Sequence, residues 1–228
     1  MPTHTGQLVM PFAPVTSYAP EDFIRGTANE DALNLLERWP DWPYSIMLIH
    51  GPKGCGKTHL AHLFAARTRA TLVDAARIGT APADQLLTGN HAWVIDDITA
   101  IADPAALAQL INHARARGDY LLLMAPAPAA QLPFTLPDLK SRLAMLPATA
   151  MGAPDDALLM GVLAKAFADR QLRVIPEVLQ YAVSRLERQY EAVQQFATRV
   201  DALSLARGRA ITLPLIRDAL IDSPEASA

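Results

Sequence analysis

The stretch Gly51-Pro52-Lys53-Gly54-Cys55-Gly56-Lys57-Thr58 follows directly on the apolar run Ser45-Ile46-Met47-Leu48-Ile49-His50. The spacing G-x-x-x-x-G-K-[ST] between an apolar strand and a helix leaves few folds open. Glycines reach backbone conformations closed to other residues, so Gly51, Gly54 and Gly56 let successive N–H groups converge on phosphate oxygens. The segment that follows reads as a helix over residues 57–69, whose N-terminal dipole favours the same anion. In such a loop Lys57 reaches the β- and γ-phosphates of a nucleotide and Thr58 holds Mg2+ through its hydroxyl.

The rest of the first two thirds supplies the matching frame. Apolar positions Ala32, Leu33, Leu35, Leu36 and Trp39 recur at helical spacing over residues 28–39, with Asn29 as the N-cap expected from its residue type. Short strands are expected at 71–73, 92–95 and 120–124. A helix is expected at 104–117, with Pro104 in its first turn and Gly118 just past its end. Strands alternating with helices imply an α/β fold whose parallel sheet is covered on both faces. Beyond about residue 152 the strand signal stops. Amphipathic helical patterns at 155–170, 176–189, 192–207 and 213–220 predict a small all-helical lid. The expected organisation is a flexible tail at 1–16, a nucleotide-binding base at 17–152 and a helical lid at 153–228.

Composition narrows the function classes. The 228 residues are 51% hydrophobic and 19% charged, enough for one core with a small appendage. The formal net charge of -3 gives no bulk attraction to nucleic acid, and Lys and Arg are scattered among Asp and Glu. DNA contact is therefore expected only indirectly. The single cysteine, Cys55, excludes intramolecular disulfides and cysteine-based zinc sites. No apolar run spans a bilayer and the N-terminus lacks a signal-peptide pattern, so the expected setting is cytoplasmic.

Asp96 and Asp97 end the apolar strand Ala92-Trp93-Val94-Ile95, where the second half of a phosphate-loop site is expected. Asp96 would position the metal through water, and Asp97 would orient the attacking water. Cys55 occupies a variable position of the loop and reads as a tolerated small residue. His59 and His62 lie three apart with no carboxylate to complete a metal site, and packing accounts for them. Trp39 and Trp42 read as packing residues beside a turn.

These motifs, taken in order, resemble the DnaA/Hda family of AAA+ proteins, and its short Hda-type members more closely. The similarity is carried by Asp22-Phe23-Ile24-x-Gly26-x-x-Asn29, by residues 50–59, 93–98 and 136–142, and by Gly208-Arg209-Ala210-Ile211-Thr212. It covers the chain from about residue 17 onward. The resemblance implies an AAA+ core in which Phe23 and Ile24 line the base pocket. Nucleotide contacts would come from Gly51, Gly54, Cys55, Gly56, Lys57, Thr58 and His59. Arg142, in Leu139-Lys140-Ser141-Arg142, matches the family's arginine finger, which acts on ATP held by a neighbouring subunit. The tail sequence Gln7-Leu8-Val9-Met10-Pro11-Phe12 is similar to the segment by which Hda-type members hold the β sliding clamp of DNA polymerase III. There Gln7 would hydrogen-bond while Leu8, Met10, Pro11 and Phe12 fill an apolar pocket. The chain stops at Ala228, just past the lid, without the helix-turn-helix domain of the initiator itself.

Two positions depart from the family pattern. After the strand at 120–124 the chain reads Ala125-Pro126-Ala127-Pro128, where a polar sensor side chain is usual. In the lid stretch Arg188-Gln189-Tyr190-Glu191, Glu191 stands where a second sensor arginine is usual, so either Arg188 substitutes or the lid contributes little. Both argue for weak or no ATPase in this chain, without touching the binding of ADP or ATP. The expected role is negative regulation of replication initiation: the chain binds DNA-loaded clamp and promotes hydrolysis of ATP on DnaA. A self-sufficient ATPase such as a helicase loader, a non-catalytic bridge between clamp and initiator, and self-association all remain open at this level.

Overall fold

The computed structural model describes residues 18–208 and 210–221. Their order is α1 (Glu30–Glu37), β1 (Ile46–His50), α2 (Lys57–Thr68), β2 (Thr71–Leu72), α3 (Ala83–Leu86), β3 (Ala92–Ile95), α4 (Pro104–Arg117) and β4 (Tyr120–Ala125). There follow α5 (Pro137–Ala144), β5 (Ala148–Ala150), α6 (Asp156–Asp169), α7 (Pro176–Val183), α8 (Tyr190–Arg207) and α9 (Leu213–Ile221). The strands form one parallel sheet in the order β2-β3-β4-β1-β5. The expected α/β fold with a C-terminal helical lid is what forms.

Period-2 alternation divides each central strand between two cores. Ile46 and Leu48, Trp93 and Ile95, and Leu121 and Leu123 enter one core with Leu107, Leu110 and Ile111 of α4 and Leu139 and Leu143 of α5. Met47 and Ile49, Val94, and Leu122 and Met124 enter the other with Leu33 and Leu36 of α1 and Leu60 and Phe64 of α2. A third core joins α6 to α9 through Leu163, Phe167, Val193, Phe196 and Ile216.

The register sets the site. Ile49 stands beside Met124 and Thr149, and His50 beside Ala125 and Ala150. Leu123 aligns with both Leu48 and Ile95, so the end of β3 reaches the same sheet edge as the end of β1. The loops that leave that edge carry the glycine-rich turn, Asp96 and the residues after β4.

Several sequence expectations needed adjustment. The edge strand β5 carries only three residues with alternating exposure and no apolar run, so nothing in its pattern marks it. Asn29 is the residue before α1, but its side chain makes no cap bond. It turns back instead, accepting from the Gly26 N–H at 2.9 Å and donating to the Ile24 carbonyl at 3.0 Å. The helix expected over 176–189 ends at Val183, and α8 begins at Tyr190 rather than 192. The chain between them is drawn to the phosphate loop, where the Tyr190 N–H meets the Gly54 carbonyl at 3.1 Å.

Trp42 and Trp39 pack as expected. Trp42 stacks on Phe64 at 5.3 Å between centroids and donates its indole N–H to the Leu35 carbonyl, while Trp39 meets the edge of the same ring. Phe64 is fully buried under both. Phe64→Ala is therefore expected to lower unfolding free energy by about 3–5 kcal/mol, seen as a reduced urea midpoint with unchanged slope.

Candidate nucleotide site and surface arginine

The glycine-rich turn is built on β1. The Gly51 N–H donates to the Ala125 carbonyl at 3.2 Å, and the Met151 N–H to the His50 carbonyl at 2.7 Å. These bonds hold the loop's entry between two neighbouring strands. A side chain at Gly51 is excluded, because its Cβ would lie 2.4 Å from the Met151 carbonyl oxygen. Gly54 and Gly56 adopt φ of 73° and 95°, the left-handed region that favours glycine. Gly56 then starts α2, so the free N–H groups of that helix open into the turn.

Lys57 folds across the loop. Its Nζ donates to the carbonyls of Gly51 at 2.7 Å and Pro52 at 2.8 Å, and lies 3.8 Å from Cys55 Sγ. Among the described residues no carboxylate forms an ion pair with it. An ammonium beside converging amides, without an anion of the protein, fits a phosphate group. Burial first, and Lys57 second, lower the His50 pKa, which disfavours a second cation beside Lys57. Burial raises the Cys55 thiol, which argues against a reactive thiolate. Thr58 is exposed in the first turn of α2.

Asp96 and Asp97 follow β3 at the same edge. Asp97 sits at φ 58° and accepts from the Thr99 N–H at 3.0 Å and the Thr99 hydroxyl at 2.5 Å, all through Oδ1. One carboxylate oxygen is thus committed to its own turn. At the end of β4, Ala125 is fully buried and offers only its carbonyl. In the lid, Glu191 is exposed. Arg188, the other candidate there, pairs with Asp156 at 3.1 Å.

The segment before α1 lies between base and lid. Phe23 packs with the base core and meets the His59 ring edge-on at 5.1 Å, whereas Ile24 packs with the lid core. His59 also reaches the Ala19 carbonyl through Nε2 at 3.1 Å, and His62 stacks on Tyr18 at 4.1 Å. Packing accounts for both histidines, and no cluster of metal ligands occurs among the described residues. Lys165 of α6 pairs with Asp22 at 2.7 Å, and the Thr27 hydroxyl donates to Asp155 at 2.9 Å. Asp155 also caps α6 by accepting from the Leu158 N–H.

The lid touches the loop through two side chains. The side chain of Gln189 lies over Gly54, where an added Cβ would stand 2.8 Å from its own. An added Cβ on Gly56 would stand 3.0 Å from Cε2 of Tyr190. Burial pushes the Tyr190 pKa up to about 12, a rise that the neighbouring Asn29 side chain partly offsets.

Arg142 lies on α5, away from these groups in sequence and partly exposed. Its Nε donates to Asp138 at 2.8 Å and Nη1 to Asn112 of α4 at 2.5 Å. The hydrogen bond to Asp138 raises its pKa further, so the guanidinium is fixed in direction and always charged. The tail residues Gln7, Leu8, Met10, Pro11 and Phe12 lie outside the described residues.

Comparison with known proteins places this geometry. Residues 156–220 match the family model described as the lid domain of Hda. Domain III of the Thermotoga maritima replication initiation protein DnaA superposes with a TM-score of 0.75 at 17% identity, over 93% of this chain and 98% of that one. Residues 156–220 are thus similar to an Hda lid, and the chain as a whole shares the fold of DnaA domain III. DnaA from Aquifex aeolicus, solved with AMPPCP, is similar with a TM-score of 0.69 at 17% identity, over 84% of this chain and 67% of that one. A Thermotoga maritima RuvB structure shares the fold at a TM-score of 0.71 and 16% identity, over 90% of this chain and 71% of that one. In sequence, an uncharacterized protein of Haemophilus influenzae is 25% identical across 94% of this chain and 98% of its own length. No helix among the described residues is long and apolar enough to cross a membrane.

Asn112, Gln189 and Tyr190 escaped the sequence reading. Asn112 lies on the exposed face of an ordinary amphipathic helix, and nothing in its spacing marks it. Gln189 and Tyr190 fall within the lid stretch singled out for its sensor position, but only the lid's docking shows that they lie on the loop.

The Asp155 clasp predicts a pH dependence. The Leu158 N–H, and then the Thr27 hydroxyl, hold its carboxyl below the usual range. Stability from such a group is fully present above the unfolded pKa of about 3.9, and is lost as pH falls through the lowered folded value. The difference in urea midpoint between wild type and Asp155→Asn is therefore expected to hold between about pH 7 and 5 and to shrink below about pH 4.

Proposed function

We propose that this Hda-like chain is a regulatory inactivator of DnaA, restraining initiation of DNA replication by promoting hydrolysis of the ATP that DnaA carries. The observation that carries the reading is Arg142, a charged guanidinium held at the surface by Asp138 and Asn112 in a chain with an Hda-type lid. A guanidinium oriented in advance loses little freedom when it meets a γ-phosphate on a neighbouring subunit, and it stabilises the charge that develops there. In this reading the tail at 1–16 holds the β sliding clamp through Gln7, Leu8, Met10, Pro11 and Phe12. The base at 17–152 and the lid at 153–228 bind an adenine nucleotide, ADP or ATP, whose phosphates take the loop amides and Lys57. Thr58 and Asp96 would hold Mg2+, which shields phosphate charge. Contact with DNA would then run only through the clamp.

The chain's own turnover is weakly supported. Ala125 brings no polar side chain to the end of β4, and Glu191 repels rather than stabilises phosphate. Asp97 has one oxygen in its own turn, which leaves the other for any water. Nucleotide bound here acts on the arrangement of base and lid, and hydrolysis belongs to the partner.

Hydrolysis of ATP pre-bound to DnaA, followed with this protein and DNA-loaded clamp, tests the proposal. Wild type is expected to accelerate it, and Arg142→Ala to remove the acceleration, since arginine fingers contribute roughly 10³–10⁵ in rate. Stimulation that survives in Arg142→Ala would refute the finger. Replacing Gln7 and Phe12 with Ala together is expected to abolish clamp binding in a pull-down and to spare the Arg142 hydrogen bonds. Retained clamp binding would remove the tail from the proposal.

A further inference from the structure

A nucleotide with its phosphates on the loop amides and its base against the Phe23-Ile24-Asn29 segment must cross the space between Gly56 and Asn29. Tyr190 spans that space. Its N–H is on the Gly54 carbonyl, its ring is in contact range of where a Gly56 side chain would stand, and the Asn29 side chain neighbours its hydroxyl. Gln189 covers Gly54 beside it. Asn29 is only 1% exposed, and its side chain already braces Gly26 and Ile24, so it cannot turn away to make room.

We propose that Tyr190 is an intramolecular competitor of the nucleotide, standing where the base and sugar would lie until the start of α8 withdraws. The inference rests on the reading of residues 51–58 as a nucleotide site. A planar aromatic ring with a hydrogen-bonding edge resembles a base in shape and chemistry, which is why it can lie beside Asn29 and shield the loop together. Tyr190 and Ile24 both pack on the lid core, so expelling the ring disturbs the lid's own packing. Nucleotide binding is thereby coupled to lid position, and Tyr190 sets the affinity of the site. When only a fraction of molecules has the ring withdrawn, the apparent dissociation constant rises by the inverse of that fraction.

The experiment is calorimetric titration of ADP with Mg2+ into wild type, Tyr190→Ala, Tyr190→Phe and Lys57→Ala. It is paired with hydrogen exchange of the amides around residues 186–192 in wild type. Tyr190→Ala is expected to bind ADP at least about tenfold more tightly than wild type. Tyr190→Phe, which keeps the ring but loses the hydroxyl beside Asn29, should fall between them, and Lys57→Ala should bind much more weakly. In wild type, ADP is expected to speed exchange at the Tyr190 amide, as its bond to Gly54 opens. ADP binding that depends on Lys57 but is unchanged or weakened in both Tyr190 variants would overturn the inference and leave the nucleotide site standing. So would slower exchange at the Tyr190 amide on adding ADP, a readout that needs no variant to fold. If Tyr190→Ala folds by circular dichroism and no variant binds ADP at all, the nucleotide reading fails and the inference falls with it.

Discussion

Strand β1 is hydrogen-bonded on both sides, and most of what this chain can do depends on that double pairing. Beyond its last residue, the Gly51 N–H is held by Ala125 of β4, and the His50 carbonyl is held by Met151 just past β5. The phosphate loop therefore leaves a rigid edge rather than a free end. Its left-handed glycines can hold amides convergent only because the entry is clamped. The burial of both sheet faces makes the clamp rigid, since alternate residues of β1 lie in two separate cores.

On the proposed reading, charge at this edge is arranged to receive an anion rather than to turn it over. Lys57 is satisfied by carbonyls and neighbours a histidine whose protonation is disfavoured. The positions from which an ATPase would sense a γ-phosphate are occupied by a buried methyl group and an exposed carboxylate. By contrast, the surface guanidinium of Arg142 is tied to two side chains from different turns of structure, Asp138 and Asn112. Binding in one place and a poised cation in another suit a protein that reads nucleotide for itself and acts on a neighbour's.

The lid is joined to the base by polar and apolar contacts of modest individual strength. Lys165 to Asp22, Thr27 to Asp155 and the Ile24 packing all converge on the segment before α1. Exposed ion pairs of this kind contribute little each, so the lid's position can be shifted by a ligand of ordinary affinity. Gln189 and Tyr190 add the lid contacts that lie directly on the phosphate loop.

Much of this was legible in the sequence. The glycine spacing after an apolar run determined the loop, since the left-handed φ of Gly54 and Gly56 favours glycine, and apolar runs located β1, β3 and β4 while helical patterns located α4 and α6. The early end of α7, the turned-back Asn29 and β5 were not legible, because each follows from contacts with residues distant in the chain. The family resemblance puts Phe23 and Ile24 together in one pocket, but cannot say that Phe23 packs with the base core and Ile24 with the lid core. It likewise singles out Arg142 without showing Asn112 beside it. The sequence by itself determined the glycine-rich loop with Lys57 and the Arg142 cation on which the proposed function rests. Only the tertiary structure decided that Tyr190 lies across the first of them, because side-chain direction at a helix start is set by what the lid docks against.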